Sequence, residues 1–236
     1  MDAPRRLLRA EQVLGSRSRR VALVLEGSQD PHNVHAVLRT AEALGLQDVH
    51  LVAPRGDAAR ISPGVTQRAH EWLSLQRHGS IDDAAALLRK EGRALWATAN
   101  AEGARSLTEF APEGRIALLF GNETEGLSER AIALADGLLR IDLVGFSGSL
   151  NLSVTAAMAC WELRRREVLT GGGDLDDVER DAIRRDWYPK LLERGRRRAG
   201  LSERWLAQAD SLAEHAAEME RVTPRNREDG PAVEDC

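Results

Sequence analysis

The sequence predicts an α/β domain built on a mainly parallel sheet, with short helical extensions at both ends. Near-continuous apolar runs such as VALVL and IALLF suit strands covered on both faces. Amphipathic helical segments alternate with those runs, as in a crossover-connected sheet. With 42% hydrophobic and 30% charged residues over 236 positions, there is enough apolar material for a real core.

A short basic helix is expected over residues 4–14, followed by a buried strand, RVALVLEG, at 20–27. In DPHNVHAVLRTAEALG (30–45), Val34, Val37, Leu38, Ala41 and Leu44 recur at helical spacing and form one buried stripe. Asn33 stands at the start of that helix. Arg39 points away from the stripe, between Ala36 and Ala43, and is either a solvated side chain or a guanidinium held ready for an anion. DVHLVAP (48–54) is a second strand. SIDDAAALLRKEG is a helix with Ser80 as its cap and Gly92 as its terminator. RALWATAN (93–100), RIALLFG (115–121) and GLLRIDLVG (137–145) are three further strands, with the helix LSERAIALAD before the last of them. The long apolar helix LNLSVTAAMACWELRRREVL closes a domain spanning 20–168.

Residues 1–19 form a basic N-terminal extension, and 169–222 a helical C-terminal one that begins at the TGGGD break. Within the latter, LDDVERDAIRRDW and RWLAQADSLAEHAAEMER are helical, and Pro189 is expected to open a separate short segment. The tail 223–236 has the composition of a disordered segment.

The formal net charge is −4, so total charge announces no polyanion partner. Basic clusters near both ends offset that: Arg5, Arg6 and Arg9 at the start, and Arg194, Arg196, Arg197 and Arg198 in RGRRRAG. Solubility explains such clusters as well as polyanion binding does. The acidic run GGGDLDDVERD would weaken a polyanion site unless it faces outward. Aromatic residues are only 4% of the chain, too few for a base-stacking platform. Cys160 and Cys236 make neither a disulfide framework nor a metal-ligand spacing, which suits a reducing cytoplasm. No apolar run is long enough for a membrane span.

Ligands of open parallel sheets bind beyond the carboxyl ends of strands. Three such ends carry unusual residues: Thr98 in TAN, Gly121 and Glu123 in GNETEGLS, and Ser149 and Asn151 in GFSGSLNLS. Plain strand-to-helix turns account for each of them singly. The glycine fingerprints that cradle a pyrophosphate are missing, which points to a nucleoside-type cofactor and away from a dinucleotide.

Taken in order, DPHNVHAVLRTAEALG, IALLFGNETEGLSERAIALAD and LRIDLVGFSGSLNLSVTAAMACWE resemble the three motifs of the SpoU/TrmH group of SPOUT methyltransferases, over residues 20–168. The resemblance implies S-adenosylmethionine-dependent methylation of an RNA ribose 2′-hydroxyl, by the subgroup that acts on a D-loop guanosine of tRNA. It implies Arg39 as the catalytic arginine, with Asn33, Glu123, Ser149 and Asn151 beside it. Thr98, Gly121, Ile141 and Leu150 match the positions that hold the cofactor, and the two extensions match those that meet tRNA. It also implies a C-terminal trefoil knot and a homodimer packed through the first-motif and last helices. The third motif departs modestly from many relatives in the residues around its serine and asparagine. No metal is expected, because a sulfonium leaving group requires no Lewis acid. A ribosomal RNA methyltransferase of the same group and a non-catalytic RNA-binding protein on this fold are the alternatives.

Overall fold

The computed structural model describes residues 4–28, 30–52, 69–122, 124–166, 173–193 and 200–222. The chain divides into two compact units: residues 16–174, and residues 1–15 together with 175–236.

The larger unit carries a seven-stranded sheet whose named pairings are all parallel. In chain order the strands are β1 (Val21–Glu26), β2 (Asp48–Val52), β3 (Ser74–His78), β4 (Ala94–Thr98), β5 (Arg105–Ser106), β6 (Ile116–Phe120) and β7 (Gly137–Arg140). Their spatial order is β3-β2-β1-β6-β4-β7-β5. Two strands thus join the five that the apolar runs mark. β3 (SLQRH) is a half-exposed edge strand with no apolar run, and β5 spans two residues. The last predicted strand stops at Arg140, and residues 141–151 leave the sheet as irregular chain.

Alternate residues of β1 explain its unbroken apolar sequence. Val21, Leu23 and Leu25 join the core with α2 (Pro31–Ala43) and α5 (Leu152–Arg165), while Ala22 and Val24 join the opposite core with α3 (Ile81–Lys90) and α4 (Glu129–Leu134). Each helix starts where a polar side chain accepts a free backbone N–H: Asp30 from His32, Ser80 from Asp83, Ser128 from Ala131 and Asn151 from Ser153. The small residues Ala156, Ala159 and Cys160 sink to full burial in the core shared with α2. Burial pushes the Cys160 thiol up to about 12, so it is an inert core residue.

Part of the basic N-terminal run serves the fold. Arg17 is fully buried, donating to the Leu46 carbonyl at 2.9 Å and to Glu42 at 2.8 Å. Arg93 is likewise buried, bound to Asp48 at 2.6 Å and to Glu91 at 2.9 Å.

His50 on β2 is fully buried, and its Nδ1 lies 2.9 Å from Nε2 of His78 on β3. Burial first, then the neighbouring His78, holds the His50 imidazole down at about 4. His35 and His78 shift the same way, burial again being the main cause. The unfolded chain therefore binds these protons more readily than the folded one from about pH 6.5 downward. The stability tied to neutral His50 is complete above that value and falls as the pH drops toward 4. The denaturant midpoint should decline across this window and decline less in His50→Gln; identical profiles would remove His50 as the cause.

The smaller unit is helical: α1 (Arg5–Leu14), α6 (Asp177–Glu193), α7 (Gly200–Leu206) and α8 (Ala209–Val222). α1 packs on α6 and α8, so the two ends of the chain build one body. α6 runs through Pro189, which does not open a separate segment. The proline removes one helical N–H, and burial of Trp187, Tyr188 and Leu192 on either side holds the helix together. Asp176 and Glu179 form a reciprocal capping box at its start, which gives two of the acids in the GGGDLDDVERD run a structural task.

At the centre of this unit Glu11 is buried against Arg184, at 2.8 Å, and against the Tyr188 hydroxyl, at 2.6 Å. Truncating Glu11 leaves the Tyr188 phenol buried without its acceptor and the buried Arg184 guanidinium with its bond to Asp181, at 2.9 Å, in place of a two-sided clasp. Glu11→Ala should therefore lose about 3 kcal/mol in denaturant titrations that follow the helical unit. A loss below about 1 kcal/mol would mean that water replaces the carboxylate.

Candidate active site

The carboxyl ends of β4, β6 and β7 open into a cavity of about 410 Å³, within the range of small-molecule sites. Thr98 and Asn100 come from the end of β4, Gly121 and Asn122 from the end of β6, and Leu139 and Ile141 from the end of β7 and just beyond it. Ser149 and Leu150 reach the cavity from the irregular chain before α5. Four predicted cofactor positions, Thr98, Gly121, Ile141 and Leu150, thus lie around one cavity together with Ser149. The Thr98 hydroxyl is already committed, donating to the Leu119 carbonyl at 2.8 Å. Its side chain lines the cavity, and its hydroxyl hydrogen is not free for a ligand.

The wall after β6 is a closed loop. Asn122 and Gly126 exchange backbone hydrogen bonds of 3.2 and 3.1 Å, and Asn122 Oδ1 accepts from the amides of Thr124 and Glu125. Gly126 takes a left-handed φ of 74°, which makes the reversal possible. Gly121 packs so tightly against the backbone of Gly126 and Leu127 that no side chain fits between them.

Asn33 and Asn151 meet although 118 positions separate them: Asn151 Nδ2 donates to Asn33 Oδ1 at 3.0 Å. The same Asn151 caps α5, its Oδ1 accepting from the Ser153 amide at 2.8 Å and the Ser153 hydroxyl at 2.6 Å. One side chain therefore joins the start of the first-motif helix to the start of the third-motif helix.

Arg39 is exposed on α2, makes no hydrogen bond or ion pair among the described residues, and does not line the cavity. Arg5, Arg6 and Arg9 are exposed on α1. Glu123, Arg194, Arg196, Arg197, Arg198 and the 223–236 tail lie outside the described residues. Asn122, which organises the loop, and Asn100, whose amide donates to the Gly148 carbonyl at 3.4 Å, were not singled out by the sequence. Their only signal was an amide side chain just past a strand end.

This arrangement offers a nucleoside-sized, largely apolar slot edged by backbone groups, next to a polar pair at two helix starts. The profile of the SpoU rRNA Methylase family matches residues 20–161. A tRNA (guanosine(18)-2'-O)-methyltransferase of Thermus thermophilus is 36% identical over 185 residues, covering 77% of this chain and 95% of that protein. The crystal structure of the Aquifex aeolicus TrmH/SpoU tRNA modifying enzyme superposes with a TM-score of 0.71 at 24% identity, covering 79% of this chain and 96% of the other. An AdoMet-bound rRNA methyltransferase from Sinorhizobium meliloti superposes with a TM-score of 0.57 at 25% identity, over 66% of this chain and 60% of its own.

Proposed function

The chain belongs to the SpoU methylase family, and on that premise we propose that it methylates the ribose 2′-hydroxyl of a D-loop guanosine in tRNA, taking the methyl group from S-adenosylmethionine. The observation that carries this reading is the cavity at the strand ends, built from the predicted cofactor positions beside the Asn33–Asn151 pair. Similarity over 95% of the length of the Thermus tRNA enzyme favours tRNA over ribosomal RNA.

The cavity suits S-adenosylmethionine on its own terms. Leu107, Ile132, Ile141 and Leu150 supply apolar walls for an adenosine, and the backbone at Gly121 and Ile141 supplies polar groups at the rim. When bound, the cofactor supplies an electrophilic sulfonium methyl. The chain's residues must then orient the ribose and manage the proton that its hydroxyl loses as the oxygen attacks carbon. A guanidinium stays protonated in proteins, so Arg39 is a poor base. Arg39 instead binds the adjoining phosphate and stabilises the developing alkoxide, and the proton passes to phosphate or water. Asn33, Asn151 and Ser149 position the ribose, and Glu123, the second-motif acid, lies outside the described residues.

A homodimer completes the reading. Val154, Met158 and Trp161 form an exposed apolar stripe along α5, and Val144 and Phe146 stand bare in the chain before it. A second copy covers this surface, with the active site near the interface. Sedimentation of the full chain checks it, and a monomer at micromolar concentration would overturn it. Arg5, Arg6, Arg9 and the 194–198 arginines hold the tRNA backbone, so binding weakens steeply with salt. The C-terminal part of the larger unit forms a trefoil knot, and the enzyme works in the cytoplasm, where tRNA is matured. Among the described residues no helix is long and apolar enough to cross a membrane.

The test is transfer of labelled methyl to an unmodified tRNA transcript whose D-loop guanosine carries either a 2′-hydroxyl or a hydrogen. Label that requires the hydroxyl supports the proposal, and equal label on both places the chemistry elsewhere. Label on ribosomal RNA alone makes this a ribosomal enzyme, and none on either makes it a non-catalytic RNA binder.

A further inference from the structure

The five apolar residues of β1 end in a carboxylate, Glu26, that takes no part in the cofactor cavity. Its Oε2 accepts the Ser128 backbone N–H at 2.9 Å, and its Oε1 accepts the Ser128 hydroxyl at 2.8 Å. Ser128 is the cap of α4, its Oγ also accepting from the Ala131 amide at 3.0 Å. It closes the run after β6 whose described residues Gly121, Asn122, Thr124, Glu125, Gly126 and Leu127 line the cavity.

That segment holds its own shape through the bonds between Asn122 and Gly126 and those to the Asn122 side chain. Where it sits depends on its two ends. One end is the stem of β6, paired with β1 as far as Phe120 opposite Leu25. The other is Ser128, and Glu26 grips it from the residue just after Leu25 on the same strand. Beyond Glu26 the chain enters α2 through Asp30, which caps the helix that carries Asn33 and Arg39. One side chain therefore references the cavity wall to the root of the arginine-bearing helix.

We propose that Glu26 is a positioning residue for methyl transfer, seating the cavity wall formed by Gly121, Asn122 and residues 124–127 through its paired hydrogen bonds to Ser128. The effect depends on the two-point grip and not on the negative charge. A glutamine of the same length can accept the Ser128 N–H and donate to the hydroxyl, whereas aspartate is one methylene too short. The proposal rests on the cavity being the S-adenosylmethionine site.

The experiment titrates S-adenosylhomocysteine into the full chain without RNA, and measures KM separately for S-adenosylmethionine and tRNA. Glu26→Ala and Glu26→Asp should each weaken nucleoside binding and raise KM for S-adenosylmethionine by about tenfold, the equivalent of one hydrogen bond. KM for tRNA should stay within about twofold, and Glu26→Gln should restore binding to within about threefold of the parent chain. A general loss of folding would not divide the two KM values or be rescued by glutamine. Parent-like binding by a folded Glu26→Ala chain overturns the proposal and leaves the cavity assignment standing, as does a glutamine variant no better than alanine. If the parent chain does not bind S-adenosylhomocysteine, the cavity assignment falls and the role of Glu26 falls with it.

Discussion

Arg39→Ala should lower kcat/KM for tRNA methylation by about 10³-fold, while S-adenosylhomocysteine binding stays within about twofold of the parent chain. The two readouts separate because Arg39 lies outside the cavity lining, exposed on α2 and without a hydrogen bond or ion pair among the described residues. On the proposed function its task falls on the RNA side of the reaction, where a phosphate and a developing alkoxide both call for a fixed positive charge. Arg39→Lys keeps the charge but loses the two-pronged donor geometry, and should retain about 1–10% of the activity. If lysine were as inactive as alanine, simple charge stabilisation would be wrong and the planar guanidinium itself would be required.

Gly121→Ala should weaken S-adenosylhomocysteine binding by about 100-fold, the equivalent of losing the two hydrogen bonds that close the loop. A methyl group at Gly121 would overlap the backbone of Gly126 and Leu127. Backbone cannot turn aside as a flexible side chain can, so the loop must open. Asn122 and Gly126 exchange their hydrogen bonds in that same closure, and both line the cavity. The loop lies beyond the carboxyl end of the central strand β6 and outside the core, so the fold should survive, with the far-ultraviolet spectrum unchanged. Parent-like binding by a folded Gly121→Ala chain would show that the close approach is not what shapes the site.

The layered sheet was legible in the sequence because parallel strands buried on both faces leave unbroken apolar runs, and the helix capped by Ser80 announces its own start, whereas the caps Asp30 and Asn151 did not stand out. β3 was not legible, since an edge strand such as SLQRH keeps one side open and needs no apolar run. Nor was the course of α6 through Pro189, where tertiary burial of Trp187 and Tyr188 outweighs a local helix breaker. For the site, the order of the three motifs along the chain was enough to propose cofactor positions, Thr98, Gly121, Ile141 and Leu150, which line one cavity, and a polar pair, Asn33 and Asn151, whose side chains meet.

By itself, the sequence determined what depends on neighbours along the chain: which segments are buried, where helices begin, and which polar residues stand at strand ends. Only the tertiary structure decided which of those residues meet. Asn33 bonds to Asn151 across 118 positions, Glu26 grips Ser128 across 102, and Glu11 lies buried against Arg184 across 173. It also decided that Arg17, one of a visibly basic run, is sealed inside the sheet unit while Arg5, Arg6 and Arg9 stay on the surface. Periodicity records a residue's own burial, whereas a hydrogen bond between distant segments depends on how strands are ordered and how helices cross, and no local pattern carries that information.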